Sequence, residues 1–321
     1  MGSSITPMYI NPMVDVGFKY LFGTEKHKNL LKGLLENVFK REIEDIDYGN
    51  SEQIGESLDS RNAYFDVFCK AKNGPDFIVE CQVKPQEHFA ARAVYYSARS
   101  IVNQAPKGQW GYDFNPVYFL GIIDFMLPES VCRSEGCCIQ SFMLRNDETG
   151  GTMTDKIKFV FMEVGPFNKS IEECKSFEDK FLFYMKNLPT FAKKPIDQED
   201  IYFEELLQTA EYLKMDQETQ AMYEKRLKEM RDIKNVEDYA RKMAIAEGLA
   251  EGREKGLAEG LAEGREEGRE EGRAEGRAEG RDQERERLAI NLLKLNVSVD
   301  IISQATGLSD EALKSLKEKT D

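Results

Sequence analysis

Apolar residues alternate through Tyr64-Phe65-Asp66-Val67-Phe68-Cys69 and Phe77-Ile78-Val79-Glu80-Cys81-Gln82-Val83, which predicts two half-buried strands, and Lys72-Asn73-Gly74 between them reads as a turn. Together they predict a hairpin. Upstream, Leu30, Leu31, Leu34, Leu35, Val38 and Phe39 recur at helical spacing and define an amphipathic helix that includes Glu36. Downstream, residues 88 to 105 read as a second helix carrying Arg92, Tyr95 and Tyr96, and Val117 to Phe125 as a buried strand. Helix, hairpin, helix, strand is the order of an α/β layer in which helices flank a mixed sheet.

Residues 171 to 246 turn helical, with Phe177, Phe181, Leu182, Tyr184 and Met185 on one stripe and Leu206, Leu207, Ala210 and Leu213 on another. These helices are expected to pack on the core at 8–170. A repeat follows at 247–281. Glycine recurs at 248, 252, 256, 260, 264, 268, 272, 276 and 280, preceded by an acid everywhere except at Lys255. A period of four exceeds the 3.6 of an α-helix, so the glycine stripe drifts around the axis and suits only a right-handed crossing with a partner helix. Each glycine also costs about 1 kcal/mol against alanine. The segment therefore reads as a marginal helix or spacer, with an oligomerising helix as the sharper alternative. At 282–321, Leu288 to Leu295 and Val299 to Ala305 look helical, Gly307 fits a stop, and a last helix runs from Ser309 to near Lys317. That pair resembles a helix-turn-helix, and a protein-contacting role fits it equally well.

Composition narrows the setting. The 321 residues carry a net charge of −14, and from Ala246 onward 19 acids against 13 bases give −6, so both parts are acidic. A broad phosphate-binding surface would show the opposite excess. No run of 18 apolar residues and no signal-like N-terminus appears, so a cytoplasmic protein with no membrane span is expected. The six cysteines (Cys69, Cys81, Cys132, Cys137, Cys138, Cys174) form no paired framework. A four-thiolate zinc site from Cys132, Cys137, Cys138 and Cys174 would lack the usual Cys-x-x-Cys spacing.

The chemistry sits on the hairpin. Strand parity puts Glu80 and Gln82 on one face and Val79, Cys81 and Val83 on the other, core-facing one. With a three-residue loop at 72–74, Asp66 falls opposite Glu80, with β-carbons about 5 Å apart. A two-residue Asn73-Gly74 turn would shift the register by one and separate them. Facing carboxylates repel, and a hard cation between them relieves the repulsion; Mg²⁺ prefers carboxylate and water oxygens. A solvated sheet face is the other reading of the same residues.

Asp66 followed by Glu80-Cys81-Gln82 on the next strand resembles the active-site pattern of the PD-(D/E)XK nuclease superfamily, with Gln82 where many members carry lysine. More narrowly, the chain resembles the Rpn/YhgA-like recombination-promoting nucleases. Asp15, Phe18-Lys19 and Phe22-Gly23 match the N-terminal motif; Arg92, Tyr95-Tyr96-Ser97, Gln104 and Gly108 match the helix after the hairpin; Trp110, Tyr112 and Pro116-Val117-Tyr118 match the next strand. One departure is Glu163-Val164-Gly165-Pro166-Phe167, where the family usually has a Leu-Pro-Lys-Phe-like run.

The resemblance implies a restriction-endonuclease-like α/β core and a Mg²⁺- (or Mn²⁺-) dependent DNA endonuclease connected with recombination or transposition-like events. It implies Asp66 and Glu80 as metal ligands, Glu36 on the upstream helix as a further one, and Gln82 as the residue that orients water. Arg92 and Lys84 become candidates for local phosphate contacts, and the acidic surface requires such contacts to be local. Glutamine cannot supply the lysine's charge, so a slow enzyme is expected, and a lysine put back at position 82 should keep or raise activity. The alternative is a non-catalytic, oligomerising or DNA-associated protein on a degenerate nuclease fold.

Overall fold

A computed structural model describes residues 8–50, 52–53, 63–106, 108–128, 136–193 and 200–318. The chain forms two compact units, Met1–Lys234 and Asn235–Asp321.

The first unit is built on a six-stranded mixed sheet. Its strands are β1 (Ile46–Tyr48), β4 (Val67–Ala71), β5 (Asp76–Gln82), β6 (Val117–Ile123), β7 (Ile139–Arg145) and β8 (Thr152–Glu163), in the order β1-β4-β5-β6-β8-β7. β1, β4 and β5 pair antiparallel, β5, β6 and β8 parallel, and β7 antiparallel to β8. β2 (Glu52–Gln53) and β3 (Ala63–Tyr64) form a separate two-stranded ladder. The predicted first hairpin strand is thus split at Asp66, where the chain bends before β4 begins.

Helices cover both faces. α1 (Asp15–Phe22), α2 (Lys28–Phe39), α4 (Phe177–Asn187) and α5 (Ile201–Thr209) share one hydrophobic cluster with Val67, Cys69, Phe77, Val79, Leu120 and Ile122. On the opposite face, Phe89 and Ala93 of α3 (Phe89–Val102) pack with Phe68, Ile78, Phe119 and Phe161. β5 is therefore not half-buried, as its alternation suggested: it is buried from Asp76 through Glu80, because it is central and roofed on both sides. Phe181 and Leu206 lie in the same cluster as Phe18 and Leu30, so the helices from 177 to 227 contribute to this core, whereas residues 231–246, expected to pack there too, are exposed. Leu213 departs from its expected stripe: it sits in a 3₁₀ turn and is 80% exposed.

α6 (Gln217–Lys294) is one continuous helix, so the glycine repeat is helical rather than a coil spacer. Every residue from Arg231 to Leu288 is exposed. In the second unit, the end of α6 packs with α7 (Val299–Thr306) and α8 (Asp310–Glu318) around Ala289, Ile302 and Leu313. Gly307 ends α7 at φ +69°. Among the described residues, no helix is long and apolar enough to cross a membrane.

Candidate active site

The β4–β5 register sets the geometry. Val67 pairs with Val79 and Lys70 with Asp76, which carries Asp66 to the position opposite Glu80 and leaves residues 72–74 as the loop. Asn73 takes φ +56°, a left-handed conformation that asparagine tolerates, and the Gly74 N–H closes the turn on the Ala71 carbonyl. Because the chain bends at Asp66, the ladder stops there. The Cys81 N–H instead donates to Asp66 Oδ2 at 2.7 Å, so the carboxylate is held by the backbone of the strand that carries Glu80.

Glu80 is 5% exposed, and its Oε1 is buried without a hydrogen-bond partner. Its Oε2 lies 3.7 Å from Arg92 Nη2. Burial, and then the charge of Asp66, push the Glu80 carboxyl up to about 8, against the pull of Arg92 and of a hydrogen bond from the Asp66 main chain. Burial also raises Asp66, opposed by the Cys81 amide and by Lys19. Two acids whose ionisation is this unfavourable, one with an orphaned oxygen, form a site that a cation would relieve.

Arg92 reaches across from α3. Its Nη2 donates to Gln82 Oε1 at 3.2 Å, its Nη1 donates to Gln86 Oε1, and Gln82 Nε2 donates to the Lys84 carbonyl at 3.2 Å. Asp66, Glu80, Gln82 and Arg92 are therefore brought together, and Lys84 joins them through its main chain. Glu36 is not. Its Oε1 accepts the Ile43 N–H at 2.9 Å and lies 3.9 Å from Lys32, so it secures the turn after α2. Sequence spacing placed Glu36 on the right kind of helix, but the carboxylate is spent on an amide left over beyond the helix end.

The helix that does approach is α1. Lys19 Nζ lies 4.0 Å from Asp66 Oδ1 and 2.8 Å from Asp15, whose charge also raises Asp66. Both were visible only as motif matches; their Asp-x-x-x-Lys spacing on the first helix was the available signal. Asp124 was overlooked as well. It follows the all-apolar β6, its N–H donates to the Gln82 carbonyl at 2.9 Å, and burial raises its carboxyl. The divergent run at 163–167 is structural. Glu163 is fully buried and accepts the Leu127 N–H at 2.9 Å, Val164 donates to the Ile123 carbonyl at 2.7 Å, and Lys186 Nζ caps the Gly165 and Phe167 carbonyls.

Among the described residues, no three His, Cys, Asp or Glu side chains group to hold a metal; Cys132 of the considered zinc site lies outside them. A two-carboxylate site suits a hard cation that keeps several waters or takes phosphate oxygens, as Mg²⁺ does, and suits zinc poorly.

Neither curated proteins nor solved structures give a match to the chain. A family model described as PD-(D/E)XK nuclease family transposase matches residues 12–240, and this span contains the carboxylate pair, the sheet and the helices that roof it. With most of its length under that match, the chain belongs to the PD-(D/E)XK nuclease family transposases.

Proposed function

We propose that the protein is a divalent-metal-dependent DNA endonuclease and that Asp66 and Glu80 hold its Mg²⁺ or Mn²⁺. The observation that carries this reading is the opposition of buried Glu80 and half-buried Asp66, with Glu80 Oε1 left without a partner. A bound divalent ion would lower the pKa of a coordinated water and neutralise charge on the phosphate. The remaining roles belong to the chain. The Cys81 amide fixes the rotamer of Asp66, so one carboxylate is held in place before any ligand arrives. Gln82, at the end of β5, offers its Oε1 to orient the attacking water, and Arg92 offers a guanidinium at the phosphate. Lys84 is the remaining local candidate for a phosphate contact. The wider surface, at net charge −14, adds no attraction for DNA.

The test is nicking of supercoiled plasmid by the full-length protein, with Mg²⁺, with Mn²⁺ and with EDTA. Asp66→Ala and Glu80→Ala should each lower metal-dependent nicking by about 100-fold or more while far-UV circular dichroism stays native. Wild-type nicking rates in either folded variant would remove the pair from the reaction. Absence of nicking in the wild type would favour the non-catalytic reading, for which the acidic surface and Gln82 speak.

A further inference from the structure

Arg92 makes more specific contacts than a phosphate clamp requires. Its guanidinium carbon stands 5.0 Å from the Phe89 ring centre and 5.7 Å from that of Tyr96, which holds a planar cation between two aromatic faces on α3. From there Nη2 reaches Gln82 Oε1 at 3.2 Å and Glu80 Oε2 at 3.7 Å, and the side chain is 27% exposed. A guanidinium has donors only. Gln82 must therefore turn its oxygen toward Arg92 and its nitrogen toward the Lys84 carbonyl, as found. A lysine at position 82 would meet the guanidinium with a second positive charge and no acceptor. Gln82 and Arg92 are thus mutually required: a neutral acceptor on β5 fits because the cation comes from α3.

We infer that Arg92, supported by Gln82, supplies the active-site positive charge that a lysine at position 82 supplies elsewhere in the superfamily. The inference rests on the endonuclease reading above. It assigns Arg92 to the reaction itself, beyond attraction for DNA, and reverses the expectation for lysine at position 82. Glu80 and Gln82 hold the guanidinium in place, where its charge would oppose the negative charge building on a phosphate bound beside the carboxylate pair.

The experiment is a double-mutant cycle on the full-length protein: wild type, Gln82→Lys, Arg92→Ala, the double variant and Arg92→Lys. Each is assayed by steady-state nicking with Mg²⁺ and by thermal melting. Arg92→Ala should lower kcat about 100-fold with KM changed by less than about threefold. Gln82→Lys alone should fall below wild type and melt at a lower temperature. The double variant should regain at least about tenfold in kcat over Arg92→Ala and should not show the melting loss of Gln82→Lys, since the like-charge contact is gone. Arg92→Lys keeps a charge without the planar fork and should lie between wild type and Arg92→Ala.

Additive losses in kcat would overturn the inference, as would an Arg92→Ala defect confined to KM, which marks a plain DNA contact. If the double variant does not fold, Arg92→Lys decides: a folded Arg92→Lys as inactive as Arg92→Ala excludes a role for the charge. A wild type that nicks while the cycle is additive sinks this inference alone, whereas a wild type that never nicks sinks the endonuclease reading and this inference with it.

Discussion

A methyl group added at Gly165 would lie 2.6 Å from the Asp124 carbonyl oxygen, and one added at Gly17 would lie 2.5 Å from that of Asn11; at Gly248 through Gly280 it would meet nothing within 4 Å. At Gly165 and Gly17 glycine marks places where two backbones approach too closely for any side chain. In the repeat it marks no contact at all. The first unit's sequence is dictated by what surrounds each residue, down to a glutamate buried beside an arginine. The exposed part of α6 has only its own helix to satisfy, and there each glycine is a pure loss of helix propensity. Site chemistry belongs to the first kind of region, where neighbours hold side chains in place.

The contrast can be broken most forcefully at Gly165. Gly165→Ala presses on the Asp124 carbonyl, just past the end of β6, at a residue whose own carbonyl accepts Lys186 Nζ. It should cost about 1–3 kcal/mol by overpacking, and a fall in melting temperature of roughly 5 °C is expected by calorimetry. A neutral result would mean that the loop relaxes freely.

The next largest effect is on pH. The Glu80 carboxyl, raised from 4.5 to about 8, keeps a proton in the folded chain that the unfolded chain has already lost. Rising pH between those values therefore favours unfolding of the metal-free protein, and Asp66, raised in the same direction, adds to the slope. Thermal melting of metal-free protein should show stability falling from pH 5 to 8, with Glu80→Gln removing much of the slope and Mg²⁺ opposing it. An identical slope in Glu80→Gln would place the titration elsewhere.

Smaller and opposite in sign is the effect of Gly264→Ala with Gly268→Ala and Gly272→Ala. Each should stabilise the helix by about 0.5–1 kcal/mol, seen as increased helical ellipticity and slower amide exchange in the repeat, without moving the first unit's transition. Lost helicity would show that these glycines serve a close contact with another chain. The smallest effect is expected on cutting the chain after Lys234, because Tyr223 and Leu227, the last buried residues of the first core, are retained. Nicking should stay within about threefold and the main melting transition within a few degrees. Light-scattering mass, compared with that of the full chain, reports any self-association carried by the removed part.

The hairpin was legible because period-two alternation fixes faces and loop length fixes register; Asp66 and Glu80 follow from those two counts. The bend at Asp66 was not, since it arises from the Cys81 amide finding a carboxylate rather than a ladder partner. β7 and β8 were passed over although Ile157, Phe159 and Phe161 alternate with Lys156, Lys158 and Val160 in a readable strand pattern. Arg92 was legible as a residue near the site, while its partners depended on the rotation of α3 over the sheet, which no spacing reveals. Glu36 failed for a similar reason: the pattern identified a helix acid, and a leftover amide at Ile43 claimed it. The continuous α6 escaped because single-residue propensities sum to nearly nothing there, and so do not choose between helix and coil.

Gln82 ends β5, Asp124 follows β6, and Asp66 and Glu80 lie at the same edge with Asp15 of α1 nearby. At a net charge of −14 the chain as a whole would repel a DNA substrate, although Glu80 holds its proton and Lys19 and Arg92 stand at this edge. Where most DNA-binding proteins lose on-rate as ionic strength rises, here added monovalent salt shortens the reach of that repulsion, from about 30 Å at 0.01 M to about 8 Å at 0.15 M. Association with a duplex should accordingly speed up over that interval, which stopped-flow anisotropy reads directly. Encounter would then be governed by screening and divalent ions, and productive collisions would favour DNA that arrives with its own counterions.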